Sequence, residues 1–419
     1  MNTSEIFDGL SKSKMQQEPY VRKIWELVND KALFSKSPDY LHSLRRSLLR
    51  DALAFFGEKG EYYRALYERL NINPRCADLP DLAKLAVPSV ALRGDGHKSL
   101  LIDGIDEGGM YFHSSGTGER APVKIYRSPL DLAVMVRANA SLFQHVYGSA
   151  LGEGKGIVLV MAAPEQVDDF GIVAFVHLML KYMGVEPLYG MDLADGDKPG
   201  RQWHNLVPNK GALSKFAKSK AEPKLLFTAP EGALLLAQRF DKMNLLHKVA
   251  YKLVTGIPPI NLGRGGTVVT GGEPRGSALP PYDQVVDLSR KYIVAKDNNG
   301  DEMQVPFMDA MWMSGALTLF IDRYEGFDKL PHPLSQAFLL NPNTFEYMEE
   351  DGREGVLGVF DPFVTSWLEA ICPGDVMISE PAPGYYGKSY KYRRRITADE
   401  GMALARASGK VAEGTPRGI

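Results

Sequence analysis

Apolar and polar positions follow different rhythms in successive parts of the chain. From Tyr20 to Leu70 the period is helical. Leu41, Leu44, Leu48, Leu49, Leu53 and Phe56 recur at three- and four-residue spacing and so line one helix face. Tyr63, Leu66, Tyr67 and Leu70 repeat the pattern, and Phe56-Gly57-Glu58-Lys59-Gly60 between them reads as a helix end. Pro74, Pro80 and Pro88 then punctuate an irregular stretch. Beyond Gly109 strands and helices alternate. Met110–His113 reads as a short strand, Leu130–Tyr147 as a helix, and Ile157–Ala163 as a strand buried on both faces. Phe170–Met183 is an apolar helix and Val185–Tyr189 a second strand. Lys224–Thr228 followed by Glu231–Phe240 repeats the pair, and Thr267–Thr270 ends in Gly271-Gly272. Gly355–Phe360 and Asp375–Ser379 are late strands. This alternation predicts a layered α/β fold with mixed or parallel sheets.

Composition narrows the class. The 419 residues are 44% hydrophobic and 24% charged, enough to bury a large core without disulfides. Lys and Arg total 49 against 51 Asp and Glu, which argues against a protein that coats nucleic acid. Two cysteines, Cys76 and Cys372, exclude a disulfide framework and a Cys-rich zinc module. No apolar run reaches the roughly 18 residues of a membrane span, and the polar opening lacks a signal-peptide core. The expectation is a cytoplasmic enzyme with no membrane span and no nucleic-acid partner.

Three segments carry candidate chemistry. The first is the hydroxyl- and glycine-rich run Ser114-Ser115-Gly116-Thr117-Gly118, with Lys124 downstream. Such a loop lets backbone N–H groups approach a polyphosphate, and Lys124 adds a point charge. The same letters, Gly116-x-Gly118-x-x-Ala121, also fit a dinucleotide fingerprint. That fingerprint must open a helix, whereas Pro122 precedes an extended-looking Val-Lys-Ile-Tyr. The second segment, Gly271-Gly272-Glu273-Pro274, leaves room for a flat ring against a strand end. The third, Pro373-Gly374-Asp375, places a carboxylate where two ribose hydroxyls could donate to it, or forms a plain turn.

Taken in this order, the segments resemble the adenylate-forming superfamily of acyl and aryl acid ligases. The likeness is greatest to the short acyl-protein synthetase branch: the bioluminescence fatty-acid-activating component and its relatives in phenazine-antibiotic pathways. It spans residues 20–397. The resemblance implies an α/β fold with a large, layered N-terminal adenylating domain of mixed sheets and subdomains, and a truncated C-terminal domain. Residues 1–380 would be the AMP-binding domain with its helical N-terminal segment, and 381–419 a residual C-terminal segment. It implies ATP-dependent conversion of an aryl or fatty carboxylic acid to an acyl-adenylate in secondary metabolism such as antibiotic biosynthesis. Transfer to a thiol, amine or hydroxyl would follow, with an acyl-carrier or acceptor protein as a partner. ATP would be held by Ser114, Ser115, Gly116, Thr117, Gly118, Gly271, Gly272, Glu273, Pro274 and Asp375. His177, Asp309, Ala310, Met311, Trp312, Met313 and Gly315 would line the acid pocket. Lys124, Ser314 and Arg394 would carry catalysis.

The chain departs from the family pattern at two places. In the family's aromatic-Gly-x-Thr-Glu element, Ser314 stands for Thr, but Gly315 replaces the Glu that binds Mg²⁺, so Mg²⁺ is in doubt and no metal ligand is assigned. The catalytic lysine of the family's mobile C-terminal domain is also missing. Ser408-Gly409-Lys410 follows the hinge too soon to supply it. Arg393, Arg394 and Arg395 are then the nearest bases to meet phosphate. The departures support an alternative: a degenerate member that binds an aryl or acyl ligand, or a partner, without catalysis. His177 and Cys372 each read as buried core groups as readily as chemical ones.

Overall fold

The computed structural model describes residues 13–93, 96–113, 123–147, 155–168, 171–194, 206–242, 249, 260–271, 280–313, 315–322, 328–382, 385 and 387–407. The helical opening forms as its period predicts. Helix α1 is Pro19–Asn29, α2 is Pro38–Lys59, α3 is Glu61–Leu70 and α4 is Leu79–Leu85. Ser37 caps α2 by accepting the N–H of Tyr40, with Pro38 in the first turn. The α2 stripe buries Leu41, Leu48, Leu49, Leu53 and Phe56. The helix ends at Lys59, so Gly57 lies within it. A Cβ on Gly57 would sit 3.0 Å from the Tyr67 ring, so the glycine lets α3 pack closely.

The strands follow in chain order: β1 Val87–Pro88, β2 Met110–His113, β3 Lys124–Arg127, β4 Ile157–Val160, β5 Pro187–Tyr189, β6 Met191–Leu193, β7 Leu206–Pro208, β8 Lys224–Thr228, β9 Ile260–Arg264 and β10 Thr267–Gly271. Then come β11 Ile293–Lys296, β12 Glu302–Gln304, β13 Phe307–Met311, β14 Phe320–Ile321, β15 Gln336–Leu340, β16 Tyr347–Met348, β17 Glu354–Phe360, β18 Ala370–Cys372, β19 Asp375–Pro381 and β20 Lys388–Arg395. Between and after them run α5 Pro129–Tyr147, α6 Gly171–Tyr182, α7 Lys210–Lys218, α8 Pro230–Asp241, α9 Tyr282–Arg290 and α10 Ala398–Ala407.

Two large sheets organise the molecule. The first has the order β14-β13-β10-β8-β4-β5, with every pairing parallel except β13–β14. Alternate residues serve opposite faces. Val158, Val160, Leu225, Phe227, Val269 and Met308 join the core that includes α5 and α6. Leu159, Leu226, Val268 and Phe307 join α7, α8 and α9. Both faces are covered, which is why these strands read as unbroken apolar runs. The second sheet orders β1-β18-β17-β15-β16, with β19 on β17 and β20 on β19. Smaller sheets are β12-β11-β9 and the hairpins β2–β3 and β6–β7. Met303 belongs to β12 and is exposed. This mixed-sheet α/β architecture is the one expected from sequence. Among the described residues no helix is long and apolar enough to cross a membrane.

A buried polar network ties the layers. Arg127, at the end of β3, donates to Glu369 at 2.8 Å, and neither side chain is exposed. Asp131 accepts from the backbone N–H of Ser128 and Thr365 and from both hydroxyls of Thr365 and Ser366. Burial pushes Glu369 well above the ordinary carboxyl range, with Arg127 pulling the other way.

Candidate functional site

The parallel strands end on one line: Tyr189 of β5 beside Val160 of β4, Thr228 of β8 beside Thr270 of β10, and Gly271 beside Ala310 of β13. In open α/β sheets this carboxyl edge is where ligands bind. A polar cluster is built at its β10–β13 end. Thr270, fully buried, hydrogen-bonds Asp309 Oδ1 at 2.9 Å and also meets the Tyr282 hydroxyl. The other Asp309 oxygen holds the ammonium of Lys329, whose side chain is almost wholly buried. The Asp309 N–H donates to Asp322 Oδ1 at 3.0 Å. Burial, then the Asp309 charge, raises the Tyr282 phenol, so it stays a neutral donor. Lys329 also joins the two sheets, because its backbone bridges Tyr390 of β20.

Next to this cluster stands an aromatic wall. Trp312 stacks on Phe175 of α6 at 6.2 Å and meets Phe112 of β2 edge-on at 5.9 Å. Gly171 makes room for it, since a Cβ there would lie 2.4 Å from the indole. Trp312 Nε1 is buried and has no hydrogen-bond partner among the described residues. The return from β13 to β14 is pinned on several sides. Arg127 donates to the Gly315 carbonyl at 2.7 Å, Asn139 brackets Leu317 and Leu319, and Asp361 takes the Thr318 N–H and hydroxyl. Such pinning holds a site in one geometry.

The sequence-predicted residues fall into separate places. Asp309, Ala310 and Met311 are on β13 at the edge, Trp312 is in the wall, and Met313 is buried beside it. Gly315 faces Ile371, whose Cδ1 would be 2.7 Å from an added Cβ, so a side chain there would have to displace the end of Ile371. Gly271 ends β10. Lys124 opens β3 opposite His113, with its ammonium 4.3 Å above the Tyr111 ring. His177 hydrogen-bonds the Tyr189 hydroxyl at 2.7 Å, at the β5 end of the edge, about 20 Å of sheet from Asp309 by strand spacing. Burial, then Lys181, lowers its pKa. Asp375 opens β19, buried, with Oδ1 accepting from Arg395 at 3.0 Å, and Arg395 also donates to the Pro373 carbonyl. Arg394 lies exposed on β20 and grips Glu400 through two bonds of 3.0 and 2.9 Å, pulling that carboxyl down to about 2. Cys372 is buried in β18, its thiol pushed up to about 12 by burial. Ser114, Ser115, Gly116, Thr117, Gly118, Gly272, Glu273, Pro274 and Ser314 lie outside the described residues.

Sequence reasoning did not find Lys329, Thr270 or Tyr282. A single lysine opening an apolar run, Lys329-Leu-Pro-His-Pro-Leu, was the available signal for the first. Among the described residues no three His, Cys, Asp or Glu side chains gather as a metal site. With Gly315 packed on Ile371 and Asp309 engaged by Lys329, the described donors do not form the oxygen set Mg²⁺ needs.

No family model matches the chain, and no curated protein matches it in sequence. Among solved structures it is similar to 2-hydroxyisobutyryl-CoA ligase in an open conformation with 2-HIB-AMP and CoA. The TM-score is 0.55 at 14% identity, covering 84% of this chain and 70% of that one. The same ligase in its thioesterification state gives 0.55 at 15% identity, over 87% and 69%. At such identity the likeness is one of fold: this chain shares the α/β fold of that CoA ligase.

Proposed function

We propose that the protein activates a carboxylic acid at the carboxyl edge of its parallel sheet, forming an acyl-adenylate from ATP. One observation carries the reading: segments far apart in sequence converge there. Phe112, two residues before Ser114, meets Trp312; Gly271, the residue before Gly272, pairs with Ala310. The similar ligase is described with an acyl-adenylate, which supports the same chemistry here. A carboxylate is a poor electrophile. Its oxygen attacks the α-phosphorus, the bond from that phosphorus to the α,β-bridging oxygen breaks, and pyrophosphate leaves with the electron pair. The protein's share is positioning and stabilising transferred charge.

In this reading Ser114–Gly118 hold phosphates, Gly271–Pro274 frame adenine, and Asp375, oriented by Arg395, faces ribose. Lys124, Ser314 and Arg394 remain the candidates for contact with the transferring phosphoryl group. Trp312 and Met311 would bound the ring of an aryl acid, and the buried Nε1–H, which has no partner among the described residues, would donate to its carboxylate. The acyl group then passes to a thiol, amine or hydroxyl, on a small molecule or a carrier protein. The test is trapping with hydroxylamine: an aryl or fatty acid from a panel gives an ATP-dependent hydroxamate, and a panel with no hydroxamate ends the proposal.

A second reading rests on Gly315 packed against Ile371, where the family places a carboxylate. It holds that the pocket binds an aryl acid without catalysis. Calorimetry separates the two: acid binding with no ATP binding supports the second, and ATP binding lost in Asp375→Ala supports the first.

A further inference from the structure

The helical layer carries a feature that adenylation does not use. On α2, Ser43, Arg46, Ser47 and Arg50 recur at three- and four-residue spacing and share one face. This face, with Arg75 from the segment after α3, lines a groove of about 610 Å³. The opposite α2 face is the buried leucine stripe.

The charges in this groove do not cancel. Asp78 engages Arg46 at 2.7 Å, and Asp51 is engaged by Lys23 at 2.6 Å. Lys23 also donates to the Ser47 hydroxyl at 3.0 Å. Each carboxylate is therefore matched by one base. Among the described residues Arg50 donates only through Nε, to the Ala77 carbonyl at 3.3 Å. Among the described residues neither the Arg50 nor the Arg75 guanidinium meets a carboxylate. Two positive charges that meet no carboxylate among the described residues line one concavity, together with Ser43 and Ser47. A dianion with several acceptor oxygens satisfies such a pair, and a phosphate monoester carries close to that charge. Guanidinium forks match its geometry. A carboxylate would leave one arginine unmatched.

A second groove of about 380 Å³ adjoins the first and shares Ala54 and Pro74 with it. Leu53, Gly57, Tyr67 and Ile72 line it, and its two charged groups, Arg64 and Glu68, are of opposite sign. We propose that the first groove binds the phosphate of a small-molecule phosphate monoester, and that the uncharged arm of the ester passes Ala54 into the second.

Calorimetry at low ionic strength tests this with inorganic phosphate and hexyl phosphate as probes. Both are expected to bind, hexyl phosphate at least about tenfold more tightly because part of its chain leaves water. Arg50→Gln with Arg75→Gln should weaken both by about tenfold or more while leaving the circular dichroism spectrum and hydroxamate formation unchanged. Ala54→Trp, filling the passage, should remove only the advantage of the hexyl chain. Equal affinities for the two probes would overturn the ester in favour of free phosphate. No heat at about 10 mM probe, or affinities untouched by the double substitution, would overturn the site itself.

Discussion

The molecule carries two concentrations of positive charge, and they are built in opposite ways. On β20, Lys388 meets Asp351 at 2.7 Å, Arg393 meets Glu354 at 3.8 Å, Arg394 meets Glu400 and Arg395 meets Asp375, while Lys391 meets no carboxylate among the described residues. In the α2 groove, Arg50 and Arg75 meet no carboxylate among the described residues. The first cluster is obvious in sequence, with five bases in eight positions; the second is spread over 26 positions and interleaved with acids. The contrast shows that linear charge density is a poor guide to field. A strand turns successive side chains to opposite faces, and here β17, β19, α10 and the turn before β17 supply the partners. In the groove Arg50 lies on the α2 face and Arg75 comes from the segment after α3, so it is the fold that brings the two unmatched charges together.

Substitutions can sharpen or break this contrast between matched and unmatched charge. The largest effect belongs to the most deeply matched cation. Glu369→Ala leaves Arg127 buried without its partner and should cost about 3–5 kcal/mol in urea denaturation. A loss of the size typical of surface pairs would mean the interior does not enforce matching.

The next effect concerns buried groups kept neutral instead of matched. Burial lowers both His332 and His97 to about 3, His97 with help from Arg127. The unfolded chain takes up these protons below about pH 6.5 while the native state does not, so stability falls as pH drops from there toward 3. Asp361 and Glu369, raised by burial, pull the other way, so the informative quantity is a difference. Between pH 7 and 5, His332→Gln should lose about 2 kcal/mol less stability than the unsubstituted chain. An unchanged pH slope would contradict a neutral His332.

The smallest effects separate the arginines of β20. Arg395→Ala removes one donor from the buried Asp375 carboxylate and should cost about 1–3 kcal/mol. Arg394→Ala opens an exposed pair and should cost less than about 1 kcal/mol. Thermal denaturation of both variants decides, and equal losses would remove the distinction.

What could be read from sequence follows from the range of the forces involved. Strands β4, β8, β10, β17 and β19 were legible because burial on both faces writes an unbroken apolar run into consecutive residues. The α2 stripe was legible for a similar local reason. Two- and three-residue strands such as β1, β6 and β16 were not, since no period develops in so few positions. Arg127–Glu369 and Lys329–Asp309 escaped because their members are far apart in the chain and only the fold pairs them. Candidate motifs could be picked out, but which of their residues meet could not. Nothing in Trp312 or Phe112 alone announces that they touch. Gly315 was visible in the sequence, yet its close contact with Ile371 needed the fold.

The central claim is adenylation at the carboxyl edge, and the most direct measurement is carboxylate-dependent exchange of labelled pyrophosphate into ATP. The account predicts exchange with an aryl or fatty acid, abolished by Asp375→Ala and retained in the Arg50→Gln, Arg75→Gln double variant. Absence of exchange with every acid, from a folded protein that binds both acid and ATP, would contradict it.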